Sequence, residues 1–157
     1  MNQVVERLAA LGVTLPKPAA PVANYVGAQK GGALLFVSGQ LPGGADGKLA
    51  PDHIGKLGPA SSVETGAAAA RQCAINVLAQ VKAATGGDLD RVRRCVKVTA
   101  FVNAVPGFTQ HPEVANGASD LFVEVLGDAG RHARAAVGAG SLPRNVAVEV
   151  EAVFEIA

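Results

Sequence analysis

A chain of 157 residues, 49% of them hydrophobic, is long enough to bury one core, and a single domain over 1–157 is expected. Its 14 basic and 13 acidic residues are scattered instead of gathered into a stripe, which argues against a nucleic-acid footprint. Aromatic residues make up only 4%, with no Trp, so the core must be built mainly from Ala, Val and Leu, as suits helices packed closely on a sheet.

The N-terminus opens on polar residues without an apolar signal core, and no apolar run is long enough to span a bilayer. A cytoplasmic protein with no membrane partner is therefore expected. Val4, Leu8 and Leu11 form one helical face that should end at Gly12, and Pro16, Pro18 and Pro21 make an extended linker, so 1–20 reads as an appended helix and linker. The segment from Asn24 leads through Gly31-Gly32 into the run Ala33-Leu34-Leu35-Phe36-Val37, which predicts a β-hairpin whose second strand is buried on both faces. Residues 42–60, rich in Gly, Pro and Asp, predict a long irregular loop with one short strand near Lys48-Leu49.

Ser61-Ser62-Val63-Glu64 has capping-box spacing, and Ala67, Ala70, Ala74, Val77/Leu78 and Val81 follow at steps of three and four, predicting a helix that Gly86-Gly87 ends. Over 92–102 the period becomes two: Val92, Val96, Val98, Ala100 and Val102 are expected on one face and Arg93, Cys95, Lys97, Thr99 and Phe101 on the other. A second helix is expected from His111-Pro112, with Pro at the first helical position and Ala115, Ala118, Leu121/Phe122 and Val125 buried, closed by Gly127. Two strands follow, roughly 133–138 and 146–156. Cys73 and Cys95, in a predicted helix and strand and outside any CxxC or Cys/His cluster, read as buried reduced thiols.

The last strand alternates most clearly: Val146, Val148, Val150, Ala152, Phe154 and Ile156 share one face, and Glu149, Glu151 and Glu155 the other. The order β-β-(β)-α-β-α-β-β predicts an α+β fold, a sheet with both helices on one side and a polar opposite face that serves as an oligomer interface or cleft.

There is no G-x-S-x-G elbow, metal-spaced His cluster, P-loop or strand-GxGxxG-helix unit, so no cofactor and no metal are expected. What remains is a polar set at the ends and edges of apolar strands: Tyr25, Ser38, Gln40, Asn103, Asn116, His132, Arg134 and Glu149. An Arg in the otherwise apolar Ala133-Arg134-Ala135-Ala136-Val137 needs an anion if buried, and its planar fork suits a carboxylate. That anion is either Glu149, in an internal ion pair between two strands, or a ligand. Glu149 and Glu151 equally fit the solvent face of an edge strand, guarding against aggregation. His132 is expected on the strand face opposite Arg134, either at the surface or on a pocket rim.

Ser38-Gly39-Gln40-Leu41-Pro42 ends the buried strand, and the C-terminal segment sets Arg134, Val137, Leu142 and Pro143 before Val148-Glu149-Val150-Glu151-Ala152. With Tyr25-Val26 and Val98-Thr99-Ala100-Phe101-Val102, these motifs resemble the Rid family, also called YjgF-like or L-PSP endoribonuclease-like, from about Asn24 to the C-terminus. The resemblance implies a chorismate-mutase-like α+β fold with two helices on one face, a homotrimer around an inner barrel, and ligand sites in the clefts between subunits. It also implies hydrolysis of reactive enamine/imine intermediates such as 2-aminoacrylate to 2-keto acids and ammonia. Arg134 matches the family's substrate-carboxylate arginine and Glu149 the acid that positions or activates water; Tyr25, Ser38 and Asn116 match pocket-lining positions. The small-molecule partner implied is an imine or keto acid bearing a carboxylate.

The position often occupied by Cys in the family is Ala136 here, which leaves only its backbone carbonyl for a pocket role. The N-terminal helix, the loop around 43–59 and the segment around 106–112 exceed the usual pattern and mark a longer subgroup. A non-catalytic protein that binds small carboxylates in the same cleft is the alternative; endoribonuclease action or translation inhibition has less support from the scattered charge and few aromatics.

Overall fold

The structure, a computed structural model, describes residues 3–59, 61 and 63–157. In chain order it contains α1 (Gln3–Ala10), β1 (Ala28–Gly31), β2 (Leu34–Gln40), α2 (Val63–Ala84), β3 (Val92–Asn103), α3 (His111–Leu126), β4 (Ala133–Ala139) and β5 (Val148–Ile156). The strands form one sheet in the order β1-β2-β5-β3-β4, with β3 and β4 parallel and the other neighbours antiparallel. A parallel pair needs a long crossover, and α3 supplies it between β3 and β4.

One sheet face carries the core. Leu35, Val37, Val98, Ala100, Val102, Val150 and Phe154 are buried in one cluster with Cys73, Ala74 and Val77 of α2 and Ala118, Leu121 and Phe122 of α3. Burial of each Val, Leu or Phe side chain contributes roughly 1.5–3 kcal/mol before entropy is counted. The small residues let the helices approach closely: a Cβ at Gly117 of α3 would overlap the Ala67 carbonyl oxygen of α2. Val4 and Leu8 of α1 join the same cluster, whereas Leu11 is exposed and Gly12 turns the chain at φ +67°. Pro112 lies in the first turn of α3, and Gly127 ends that helix in the left-handed region. The expected capping box of α2 includes Ser62, which lies outside the described residues.

Two expectations about the strands are corrected. β2 is not buried on both faces; its burial alternates, and Phe36 is 49% exposed because no second layer among the described residues covers that side. In β3 the alternation breaks at two bulges, between Val92 and Arg94 and between Cys95 and Lys97. Val96 is the extra residue, so Cys95 faces the core together with Val98, Ala100 and Val102 instead of lying opposite them. Both thiols are free and buried, and burial pushes the Cys95 thiol up to about 12.

The segment between β2 and α2 is tethered without long strands. Single bridges join Gly43 to Leu49, Ile54 to Val146 and Leu57 to Ala104. Fully buried Asn103 anchors it: its Nδ2 donates to Val146 O and Asn145 Oδ1, and its Oδ1 accepts from Lys56 Nζ.

Candidate functional site

Arg134 lies on β4, paired in register with Val98 of β3, so its side chain leaves the sheet on the helix-bearing side. There it crosses to α3, where Nη1 donates to Asn116 Oδ1 at 2.8 Å and to Ser119 Oγ at 3.2 Å. Asn116 and Ser119 are three residues apart and share one helix face, which is why one guanidinium corner meets both. Ser119 Oγ also lies 2.9 Å from His132 Nε2, and His132 Nδ1 lies 2.6 Å from Gly130 O. A carbonyl oxygen can only accept, so Nδ1 carries the ring proton. Nε2 of the neutral ring then takes the Ser119 proton, leaving the hydroxyl lone pairs to Arg134.

Burial lowers the His132 pKa, and the Arg134 charge lowers it further against the opposing pull of the Gly130 carbonyl. His132 therefore acts on the same side as Arg134, not on the opposite face; two residues apart on an extended chain, they share a parity. Ala136, next on that side of β4 and in register with Ala100, packs partly buried against the core.

Glu149 lies elsewhere. It pairs with Phe101 across β3 and β5 and projects from the open face of the sheet, opposite to Arg134. Among the described residues there is no Arg134–Glu149 ion pair, which removes the internal partner that the sequence left open. The Glu149 carboxylate lies over Gly39, at the irregularity of β2 between Val37 and Gln40, where a Cβ would overlap it. Burial raises the Glu149 pKa first, and the charge of Glu151 adds to the rise.

Tyr25 and Ser38 lie on this second side. Ser38 Oγ donates to Val26 O at 2.7 Å and Ser38 N to Gly27 O at 3.0 Å, fixing the backbone that presents the 54% exposed Tyr25. Both residues line a cleft of about 420 Å3 on the open face with Phe36, Lys97, Thr99 and Glu151. Tyr25 also borders a cavity of about 400 Å3 reached past Gly39 and Gln40. Two half-sites result: Arg134, Asn116 and Ala136 at the β4–α3 edge, and Tyr25, Ser38 and Glu149 on the opposite side of the sheet. One chain does not bring them together.

Gln40 and Asn103, singled out with these residues by sequence, are buried and engaged in internal hydrogen bonds. Ser119 was not singled out; its spacing of three from Asn116 was the available signal. Among the described residues, no group of three or more His, Cys, Asp or Glu side chains is placed to hold a metal ion, and no helix is long and apolar enough to cross a membrane.

The family model described as "YjgF/chorismate_mutase-like, putative endoribonuclease" matches residues 5–156. The chain is similar to Protein TCP17 of Trypanosoma cruzi, with 50% identity over 156 residues, 99% of this chain and 95% of that protein. Among solved structures it resembles Atu1372 of Agrobacterium tumefaciens, at 49% identity and TM-score 0.90 over 98% of this chain and 92% of that one. A Shewanella oneidensis protein described as a "putative endoribonuclease" matches at 35% identity and TM-score 0.92, covering 99% of this chain and 100% of that one. With this α+β sheet, α2 and α3 packed on one face, and a match that spans nearly its whole length, the chain belongs to the YjgF/chorismate-mutase-like family.

Proposed function

We infer that this protein is a hydrolytic deaminase of reactive enamine/imine intermediates, acting as a homotrimer in clefts between subunits. The observation that carries the reading is the separation of Arg134 and Glu149 onto opposite faces of one sheet. They can act on one substrate only where the β4–α3 edge of one subunit meets the open face of the next. Exposed Tyr25 and Phe36 on that face give such a contact apolar area to bury.

In such a cleft Arg134, held at Nη1 by Asn116 and Ser119, offers the rest of its fork to the substrate carboxylate. Glu149, whose raised pKa makes it a stronger base than an ordinary carboxylate, takes a proton from water as the oxygen adds to the imine carbon. Glu149 returns that proton to the nitrogen to give a carbinolamine. The hydroxyl proton then passes through Glu149 to the same nitrogen as the C–N bond breaks and the C=O bond forms, so that a 2-keto acid and ammonia leave. An activated imine is electrophilic, so orientation and one positioned water suffice without a covalent intermediate.

The test is 2-aminoacrylate decay followed with wild type, Arg134→Ala and Glu149→Gln. Losses of about 100-fold or more in kcat/KM are expected for each variant. Equal rates in all three would reject the catalytic reading. Binding of 2-oxobutyrate by wild type without turnover of any imine would instead leave a carboxylate-binding protein of the same fold.

A further inference from the structure

The cavity past Tyr25 is walled by two irregular segments of the chain. One wall is the Pro-rich segment around 16–22 and the other is the loop around 41–49. A row of amides on α2 fastens both: Gln80 Nε2 donates to Ala19 O at 3.1 Å, and Asn76 Nδ2 donates to Leu41 O at 2.8 Å and Gly43 O at 2.9 Å. Gln72 Nε2 adds a bond to Gly43 O at 3.0 Å. Gln72, Asn76 and Gln80 recur every four residues, so one helical stripe holds the two walls apart at a fixed spacing.

With these donors engaged in the walls, the charged side chains left lining the space are Lys17 and Arg144, both cations. Neither forms an ion pair or hydrogen bond among the described residues. The Asp46 carboxylate of the loop accepts from its own Lys48 amide. The Glu149 carboxylate, on the open face of the sheet, lies against Gly39, which borders the cavity.

Arg144 is held in place by unusual backbone. It sits at φ 55°, ψ 20°, followed by Asn145 at φ 56°, two successive left-handed residues that are not glycine. Left-handed backbone is tolerable for Asn but unfavourable for Arg, and persists where surrounding contacts enforce it. Those contacts are present: Asn145 Oδ1 accepts from buried Asn103 Nδ2, Asn145 O accepts from Gly55 N, and Asn145 N donates to Leu142 O. Such backbone concentrates at functional positions, and here its result is a guanidinium at the cavity wall.

We propose that this cavity receives the substrate's side chain and selects one ending in a second carboxylate, so that the substrate class is a 2-imino dicarboxylic acid. The inference rests on the deaminase reading, with Arg134 of a neighbouring subunit holding the first carboxylate. Lys17 and Arg144 then bind the second, and the apolar prolines and alanines of the wall segment contact the methylenes between them.

The test is titration calorimetry with product-like keto acids, 2-oxoglutarate and 2-oxoadipate against the neutral-tailed 2-oxopentanoate. Wild type is expected to bind at least one dicarboxylate about tenfold more tightly than 2-oxopentanoate, a margin that shrinks at high salt. Lys17→Gln with Arg144→Asn, the latter suited to left-handed backbone, should bring the ratio close to one. Equal affinities in wild type, or a preference surviving both substitutions, would overturn the inference while leaving the deaminase reading standing. No binding of any of the three acids would overturn both.

Discussion

Removing the Ser119 hydroxyl leaves Arg134 tied to α3 through Asn116 and leaves His132 Nε2 without its donor. Because Ser119 is a positioning residue, Ser119→Ala should weaken 2-oxobutyrate binding and raise KM by about fivefold while kcat changes less, and Ser119→Thr should restore most of the loss. Calorimetry and steady-state kinetics on the two variants check this; equal KM values in wild type and Ser119→Ala would dismiss the positioning role. Glu149 gives a prediction in stability. Its folded pKa is raised above the ordinary 4.5, so on raising the pH the unfolded chain loses that proton first, and the charged form weakens the fold above the raised value. Glu149→Gln removes the penalty. It should raise Tm near pH 7 and leave it unchanged below about pH 4, as thermal unfolding at the two pH values would show. His132 works in the opposite sense: its folded pKa is lowered, so stability falls as pH drops through about 6.5 and the unfolded chain takes up the proton first.

Among the elements, α2, α3 and β5 were legible in sequence because their apolar periods are long and agree with their burial. The packing of the two helices depends on a feature that periodicity does not reveal. Gly117→Ala would gain helix propensity of about 1 kcal/mol but force a methyl into the Ala67 carbonyl, for an expected net loss of about 1–3 kcal/mol in denaturant unfolding. The bulge at Val96 was invisible to a period-two reading because it arises from the pairing of β3 with β5, not from the residues of β3 alone. Arg134 and Glu149 show the same limit at the site. Parity along β5 was clear, but the relative phase of Arg134 and Glu149 depends on the register of β4 and β5 against β3, which neither strand encodes. The row of Gln72, Asn76 and Gln80 was readable in spacing, yet nothing in sequence said which carbonyls it would hold.

For the whole molecule, the open sheet face and the β4–α3 edge are the two surfaces that the proposed trimer joins. Phe36, 49% exposed on that face, should be buried by the contact, so Phe36→Lys is expected to give a folded monomer by light scattering and circular dichroism, with turnover lost. A trimeric, active Phe36→Lys protein would place the contact elsewhere. The sharing of each site between subunits has a more direct test, coexpression of Arg134→Ala with Glu149→Gln. Each variant alone is expected to be inactive, but a mixed trimer contains one cleft that draws Arg134 from one subunit and Glu149 from another. Random assembly should then recover about a quarter of wild-type 2-aminoacrylate turnover. Recovery near that level is the predicted result; no recovery in trimers shown to be mixed would contradict a site built across subunits.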